Sequence, residues 1–160
     1  MTLSHRIAVV TICTASLMLS ATSASAANGA AFCAKVQPKI QPLIKLPLQL
    51  FQADDAKTNV NQTGDSSYVE CDFRPGNFRV DVSLHDNSDK RFDGTGRQGH
   101  QELAGIADKA WTVDSGGMRW IDVVRGKLAC EARLGGPPSM VQGDWKQVAA
   151  KMCDAAFESR

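Results

Sequence analysis

The chain has 160 residues, of which 43% are hydrophobic and 22% are charged, and its formal net charge is +1. This near balance of charge gives no general attraction to nucleic acid or to an anionic membrane surface, so neither is predicted as a partner. The length suffices for one ordinary hydrophobic core and is too short for two.

The first 26 residues have the layout of a cleavable secretory signal. A weakly positive start at His5 and Arg6 precedes an apolar run over residues 7–19. The segment then ends in Ala-Ser-Ala at residues 24–26, which a signal peptidase accepts. The apolar run is shorter than the roughly 20 residues that a membrane span needs. Export therefore fits this segment better than a membrane anchor.

A lipid anchor is also disfavoured, because Cys13 lies inside the apolar run rather than after a small residue at its end. We predict a signal peptide over residues 1–26 and a single domain over residues 27–160. Arg6 is the only Lys, Arg, Asp or Glu of the removed segment, so the mature chain carries equal numbers of basic and acidic side chains. The expected location is periplasmic or secreted, without membrane insertion after cleavage.

The first half of the mature chain predicts a helical segment followed by a hairpin. Apolar residues recur at helical spacing over residues 30–46, where three prolines leave one kinked helix or two short helices open. Residues 53–67 are polar and predict a loop. Strands are expected over residues 68–73 and 78–84, because Pro75-Gly76 between them favours a tight turn.

The second half predicts a short helix, three strands and a final helix. The short helix is expected over residues 101–107, and the strands over 109–114, 119–125 and 127–134. The last helix is expected over residues 143–158, which have an apolar stripe. Short connections between strands imply an antiparallel sheet. The predicted fold is therefore α+β, an antiparallel sheet of about five strands with N-terminal and C-terminal helices packed on it.

Four cysteines remain after removal of the signal, namely Cys33, Cys71, Cys130 and Cys153. An even number in an exported chain of this size predicts two disulfides. The alternative, a metal site, would need closely spaced pairs of the C-x-x-C type, and the sequence has none. Sequence alone leaves three possible connectivities.

Local patterns favour one of the three connectivities. Cys71 and Cys130 each lie on the apolar face of a predicted strand, whereas Cys33 and Cys153 lie in the first and last helical segments. We predict the bonds Cys33–Cys71 and Cys130–Cys153, each of which would tie a helix to a strand.

Two motifs in the loop between the predicted hairpin and the short helix could suggest ligands. Gly94, Gly96 and Gly99 spell G-x-G-x-x-G. A dinucleotide site requires these glycines to follow a strand directly within a βαβ unit, and none is visible, so a surface loop is predicted. No cofactor is expected.

The second motif consists of His85 and His100, which flank Asp86, Asp89 and Asp93. Imidazoles and carboxylates can bind metals, but the acidic spacing does not match a calcium loop. A solvated polar loop is predicted, with no metal ligand. No serine lies in a G-x-S-x-G elbow, and both mature histidines flank one loop, so no catalytic residue is predicted either.

The three tryptophans, Trp111, Trp120 and Trp145, are predicted in the core or on a sheet face. Trp and Arg dominate the energetics of protein interfaces. Arg119 and Trp120, just after a Gly-Gly turn, are therefore our candidates for a partner-binding anchor.

Residues 105–111, Gly-Ile-Ala-Asp-Lys-Ala-Trp, resemble the G-[LIV]-G-D-x-A-[YW] segment of small exported bacterial proteins, many of them actinobacterial lipoproteins. A strand similar to residues 123–128 and cysteines similar to Cys33 and Cys71 also recur in that family. This chain departs from it in lacking a lipid-attachment cysteine and in having Ala107 where glycine is usual. The resemblance implies a PsbP-like fold, an antiparallel sheet with helices on its faces, and implies no catalytic residues.

These observations favour a non-enzymatic exported domain that binds a protein or an envelope component. The alternative is a small periplasmic inhibitor or immunity protein that neutralises a secreted enzyme. An enzyme, in the form of a hydrolase, is the third hypothesis.

Overall fold

The computed structural model describes residues 29–54, 68–87, 99–115 and 117–160. Within these ranges, two α-helices pack against one face of a seven-stranded antiparallel sheet. The helices are α1 (Gly29–Ile40) and α2 (Trp145–Phe157), and the strands are β1 (Leu50–Asp54), β2 (Tyr68–Phe73), β3 (Arg79–Asp86), β4 (Gln101–Glu102), β5 (Lys109–Ser115), β6 (Met118–Arg125) and β7 (Leu128–Gly135). Short 3-10 turns at Gln41–Leu43 and Pro138–Met140 complete the elements.

The sheet consists of two meanders that join in its middle. Its spatial order is β1-β2-β3-β7-β6-β5-β4, and all the strand pairs are antiparallel. The chain lays down β1, β2 and β3 side by side, moves to the opposite edge for β4, and returns strand by strand to β7. Consequently β3 and β7, which are distant in sequence, pair over eight residues at the centre of the sheet.

Helix α1 forms because its apolar residues recur on one stripe. Phe32, Cys33, Val36 and Ile40 are all buried, at the spacing that places them on one side of a helix. Pro38 is accommodated inside this single helix, and the chain then tightens into the 3-10 turn that contains Pro42. The sequence left one or two helices open, and the structure has one α-helix followed by this turn.

Helix α2 begins with an N-cap that the sequence supplies. The side chain of Asp144 accepts hydrogen bonds from the backbone N–H groups of Lys146 and Gln147, which would otherwise lack a partner in the first turn. Val148, Ala149, Met152 and Ala156 form its buried stripe. This stripe packs against β3, β6 and β7.

The core lies between the helices and the sheet face that they cover. Strand residues on this face alternate with polar residues on the other, as in β3, where Val80, Val82 and Leu84 are buried in the core. Both predicted disulfides are present in this layer. Cys33 on α1 is bonded to Cys71 on β2, and Cys130 on β7 is bonded to Cys153 on α2.

The predicted class, α+β with an antiparallel sheet and two disulfides, is confirmed, but the expectation of about five strands is wrong. The two additional strands are β1 and β4, the edge strands, of which β4 has only two residues. The short helix expected over residues 101–107 is absent, because those residues form β4 and a turn in which Ala107 has a positive φ of 47°. The predicted signal peptide and nearly all of the predicted loop at 53–67 lie outside the described residues.

Candidate functional site

The sheet face opposite the helices, here called the open face, contains a group of charged side chains. Directly paired residues on neighbouring strands project to the same face of a sheet, so the strand register shows which residues lie on the open face. One row runs through Asp72, Asp81, Arg133 and Trp120, and a second row runs through Glu70, Ser83, Glu131, Asp122 and Trp111. The open face is thus lined by carboxylates, arginines and aromatic rings.

Three arginines of this face are held by carboxylates that lie beneath them. Arg74 and Arg79 both bind Asp72, with Nη2 to Oδ2 distances of 3.0 and 3.6 Å, and Arg79 Nε is 2.8 Å from Asp81 Oδ2. Arg133 forms an ion pair with Glu131 through Nε. We call Arg74, Arg79 and Arg133 the arginine cluster.

The two partners of each ion pair differ in their exposure to solvent. The arginine side chains are 45%, 42% and 39% exposed for Arg74, Arg79 and Arg133, whereas the side chains of Asp72, Asp81 and Glu131 are 9%, 3% and 3% exposed. Each guanidinium group is therefore fixed by a buried carboxylate, while about two-fifths of its side chain stays exposed. Such fixed arginines lose little side-chain entropy when they bind a partner.

The carboxylates of Asp72 and Asp81 are direct cross-strand neighbours. Burial raises the pKa of Asp81 to about 6, and the charge of Asp72 acts in the same direction. The hydrogen bond and positive charge of Arg79 oppose this increase in the pKa without cancelling it. In the same pair, the hydrogen bond to Asp81 raises the pKa of Arg79.

Tyr68, Ser83 and His85 form a smaller group beside the arginine cluster. The Tyr68 ring stacks on the His85 ring with 5.2 Å between centroids, and Ser83 Oγ is 2.9 Å from His85 Nε2. Burial, reinforced by the charges of Asp54 and Glu70, raises the pKa of Tyr68, and burial also raises that of Glu70. A serine beside a histidine could begin a nucleophile–base pair. However, Ser83 is only 7% exposed and also contacts the Glu131 carbonyl, which favours a structural role.

The two histidines of the predicted polar loop lie at different places in the sheet. His85 is on β3, whereas His100 precedes β4 and its Nε2 is 3.3 Å from Asp122 Oδ2 on β6. Among the described residues, no group of three or more His, Cys, Asp and Glu side chains could hold a metal ion. Asp89, Asp93, Gly94 and Gly96 lie outside the described residues, so the loop itself stays a prediction.

The structure does not bring Arg119 and Trp120 together as one anchor. As neighbours on β6 they project to opposite faces of the sheet. Arg119 donates a hydrogen bond to the Gly136 carbonyl at 2.8 Å and forms an ion pair with Asp114, whereas Trp120 lies on the open face beside Arg133. Trp111 is half-buried on the open face, and Trp145 packs against the core at the start of α2.

A second exposed feature lies at the edge of the sheet, on β1. Leu50 and Phe51 are the exposed large hydrophobic side chains of the described residues, at 40% and 60%. The guanidinium group of Arg74 lies 3.9 Å from the centroid of the Phe51 ring, a cation–π contact. We call Leu50, Phe51 and Arg74 the edge patch.

The arginine cluster is not among the residues predicted from the sequence, although the sequence contains a signal for it. Charged residues alternate with apolar ones along β3 and β7, as in Arg79-Val80-Asp81 and Glu131-Ala132-Arg133. Such alternation predicts a polar sheet face, but which carboxylate binds which arginine depends on the strand register.

No family model matches the chain, and searches of curated proteins and of solved structures find no significant match. The candidate site therefore rests on the geometry of the chain alone. The two disulfides indicate a compartment outside the reducing cytoplasm. None of the described helices is long and apolar enough to cross a membrane.

Proposed function

We propose that this protein is an exported, non-enzymatic binding domain whose open face engages a partner protein. The observation that carries the proposal is the arginine cluster, three half-exposed guanidinium groups that buried carboxylates hold in place. Interface hot spots are enriched in Arg, Tyr and Trp. All three residue types occur on this face, with Tyr68 on β2, Trp120 beside Arg133 on β6 and Trp111 on β5.

The alternative is that the three arginines serve only as ion-pair partners of the buried carboxylates. Their exposed guanidinium edges would then have no function. A planar guanidinium group with free N–H donors recognises carboxylates and backbone carbonyls on a partner. The five carboxylates of the two rows outnumber the three arginines, so the cluster does not attract a partner by a net positive charge. We expect the face to select a partner by geometry instead. We therefore expect specificity to depend on the guanidinium shape as well as on the positive charge.

The proposed location is the periplasm or the extracellular space. It is supported by the disulfides and by the signal-like sequence of residues 1–26. Membership of the PsbP-like group of exported bacterial proteins likewise stays a proposal. The positive φ of Ala107 supports it, since that conformation suits the glycine that is usual at this position of the family.

A capture experiment with matched arginine variants tests the binding proposal. The processed protein is immobilised without reductant, exposed to envelope and medium extracts, and the retained proteins are measured by quantitative mass spectrometry. The double variant Arg79→Lys/Arg133→Lys keeps both positive charges but removes the planar donors. We expect it to lower retention of the partner at least about tenfold, which corresponds to about 1.4 kcal/mol.

The control is Arg125→Lys, which changes an arginine that is paired with Asp154 on the helix-covered side of the domain. It should retain the partner as the wild type does. The proposal would be refuted if the wild type retains no protein in a saturable manner. It would also be refuted if the double variant retains as much of the partner as the control does.

A further inference from the structure

We propose that two copies of this chain associate through their β1 strands, which pair antiparallel and extend the sheet across a two-fold axis. The proposal rests on the edge patch, which shares Arg74 with the arginine cluster. The variants that test it change Phe51 and Asp54, which lie outside the cluster, so its failure and that of the proposed function are distinguishable. Three observations lead to it: the position of β1 in the sheet, the apolar side chains exposed there, and the distribution of charge along the strand.

The position of β1 provides a site for strand addition. Within the described residues, β1 pairs with β2 on one side and with no strand on the other, so it forms an edge of the sheet. Edge strands carry backbone donors and acceptors that can pair with another strand, and proteins usually protect them with charge, with proline or by covering them. Over Leu50-Phe51-Gln52-Ala53 the strand has neither a charged residue nor a proline, so its protection is limited to Asp54 at its end and to the bulge between Leu50 and Gln52.

The chain also holds the start of β1 in place, so that pairing requires little ordering. The Gln41 side chain donates to the Leu46 carbonyl at 2.9 Å and accepts from the Leu48 backbone N–H at 2.7 Å. Gln37 Nε2 donates to the Leu48 carbonyl at 2.8 Å. The approach to β1 is thus fixed to α1 and to the turn that follows it.

The exposed apolar side chains at this edge are those that a second copy would cover. Leu50 and Phe51 are 40% and 60% exposed, although large apolar side chains are elsewhere buried or half-buried in the described structure. An isologous dimer brings the same patch of each copy against the other, so both pairs of side chains would be covered at once.

Charge along the strand favours antiparallel pairing with an identical strand. The exposed charge at one end of β1 is positive, because the Arg74 guanidinium lies over Phe51 and is far more exposed than Asp72, the carboxylate with which it is paired. The other end is acidic, because it carries Asp54 and, paired with it on β2, Glu70. A two-fold axis across the strand places the basic end of each copy beside the acidic end of the other. A parallel arrangement would instead place like charges together.

Sedimentation velocity over a range from low micromolar to millimolar tests the dimer. A contact centred on a five-residue strand is small, so we expect a reversible monomer–dimer equilibrium rather than an obligate dimer. Phe51→Glu should raise the dissociation constant at least about tenfold, as should Asp54→Lys, which places like charges opposite each other. Phe51 is exposed, so its variant should fold, and circular dichroism checks this.

Gln142→Glu is the matched control for Phe51→Glu, because it makes the same change of charge at an exposed position outside the sheet. Hydrogen exchange then locates the contact, since amides of residues 48–54 should exchange more slowly as the concentration rises. A wild type that is monomeric at all concentrations overturns the proposal. So does a dimer that persists in Phe51→Glu, or one that forms without protecting residues 48–54.

Discussion

Asp72 and Asp81 lie directly opposite each other on β2 and β3, and Arg79 contacts both carboxylates. Two like charges at adjacent buried positions would repel, and the guanidinium group between them makes the arrangement stable. This group of three residues has two structural effects. It stabilises the pairing of two strands, and it fixes the exposed edge of Arg79.

The raised pKa of Asp81 predicts a particular dependence of stability on pH. The folded protein holds the Asp81 proton up to about pH 6, whereas the unfolded chain releases it near pH 3.8. Between these values the folded state binds more protons, so the free energy of unfolding falls as the pH rises through this window. Asp81→Asn removes this titration, and the melting temperature should then change less between pH 4 and pH 6 than in the wild type.

Glu102→Gln serves as the control for Asp81→Asn, because Glu102 is exposed on the edge strand β4. It should leave the pH profile close to that of the wild type. A profile that is equally steep in Asp81→Asn and in the wild type would show that Asp81 does not titrate in this range.

Arg79 should contribute much more to stability than an arginine or lysine in an exposed ion pair. Arg79→Met leaves the buried Asp81 carboxylate without its cation and leaves Asp72 with Arg74 alone, so we expect a loss of about 3 kcal/mol in the free energy of unfolding at neutral pH. Lys39→Met breaks an exposed pair with Glu158 and should cost less than about 1 kcal/mol. Urea denaturation of the two variants measures the difference. Equal losses would contradict the structural role assigned to Arg79.

The two disulfides should stabilise the domain by similar amounts, in the order of their loop lengths. Cys33 and Cys71 are separated by 38 residues, and Cys130 and Cys153 by 23. Constraint of the unfolded chain then gives about 4 kcal/mol for the first bond and about 3.5 kcal/mol for the second. Replacement of each pair by alanine, followed by denaturation under non-reducing conditions, tests this. A much larger loss for the shorter loop would show that strain or packing dominates.

Ala107 and Ala104 offer a matched test of backbone strain in the turn between β4 and β5. Ala107 has a φ of 47°, where glycine is favoured, whereas Ala104 has no such positive φ. Ala104→Gly should lower the free energy of unfolding by about 0.5–1 kcal/mol, because it increases the freedom of the unfolded chain. In Ala107→Gly the relief of strain offsets that cost, so its melting temperature should equal or exceed that of the wild type. A loss as large as that of Ala104→Gly would contradict this.

The sequence predicts the elements whose residues alternate regularly, and it fails where the pattern is irregular. Strand β2 is found at its predicted bounds, and β5, β6, β7 and α2 differ from theirs by only a few residues, because each has one apolar and one polar face. Strand β1 does not alternate, since its register shifts between Leu50 and Gln52, so its pattern does not identify it as a strand. Strand β4 has only two residues, which is too short for an alternation of apolar and polar residues to be recognised.

The candidate site was less predictable than the fold for a physical reason. Glu131 and Asp72 occupy positions that a polar-face pattern assigns to solvent, yet both are buried because arginines and neighbouring strands cover them. Only the pairing of β3 with β7, two strands distant in sequence, brings Asp81 and Ser83 opposite Arg133 and Glu131. A single sequence contains no direct record of that register.

The positions of the paired cysteines along the chain have a consequence for how the two disulfides form. Among the four cysteines of residues 27–160, each is bonded to its nearest neighbour along the chain, and each bond lies within one of the two meanders with its helix. A chain that enters an oxidising compartment with its N-terminus first therefore presents Cys33 and Cys71 together before Cys130 appears. Successive oxidation in order of arrival then gives the native pairs directly. Folding of this domain should accordingly need an oxidant but little help from a disulfide isomerase.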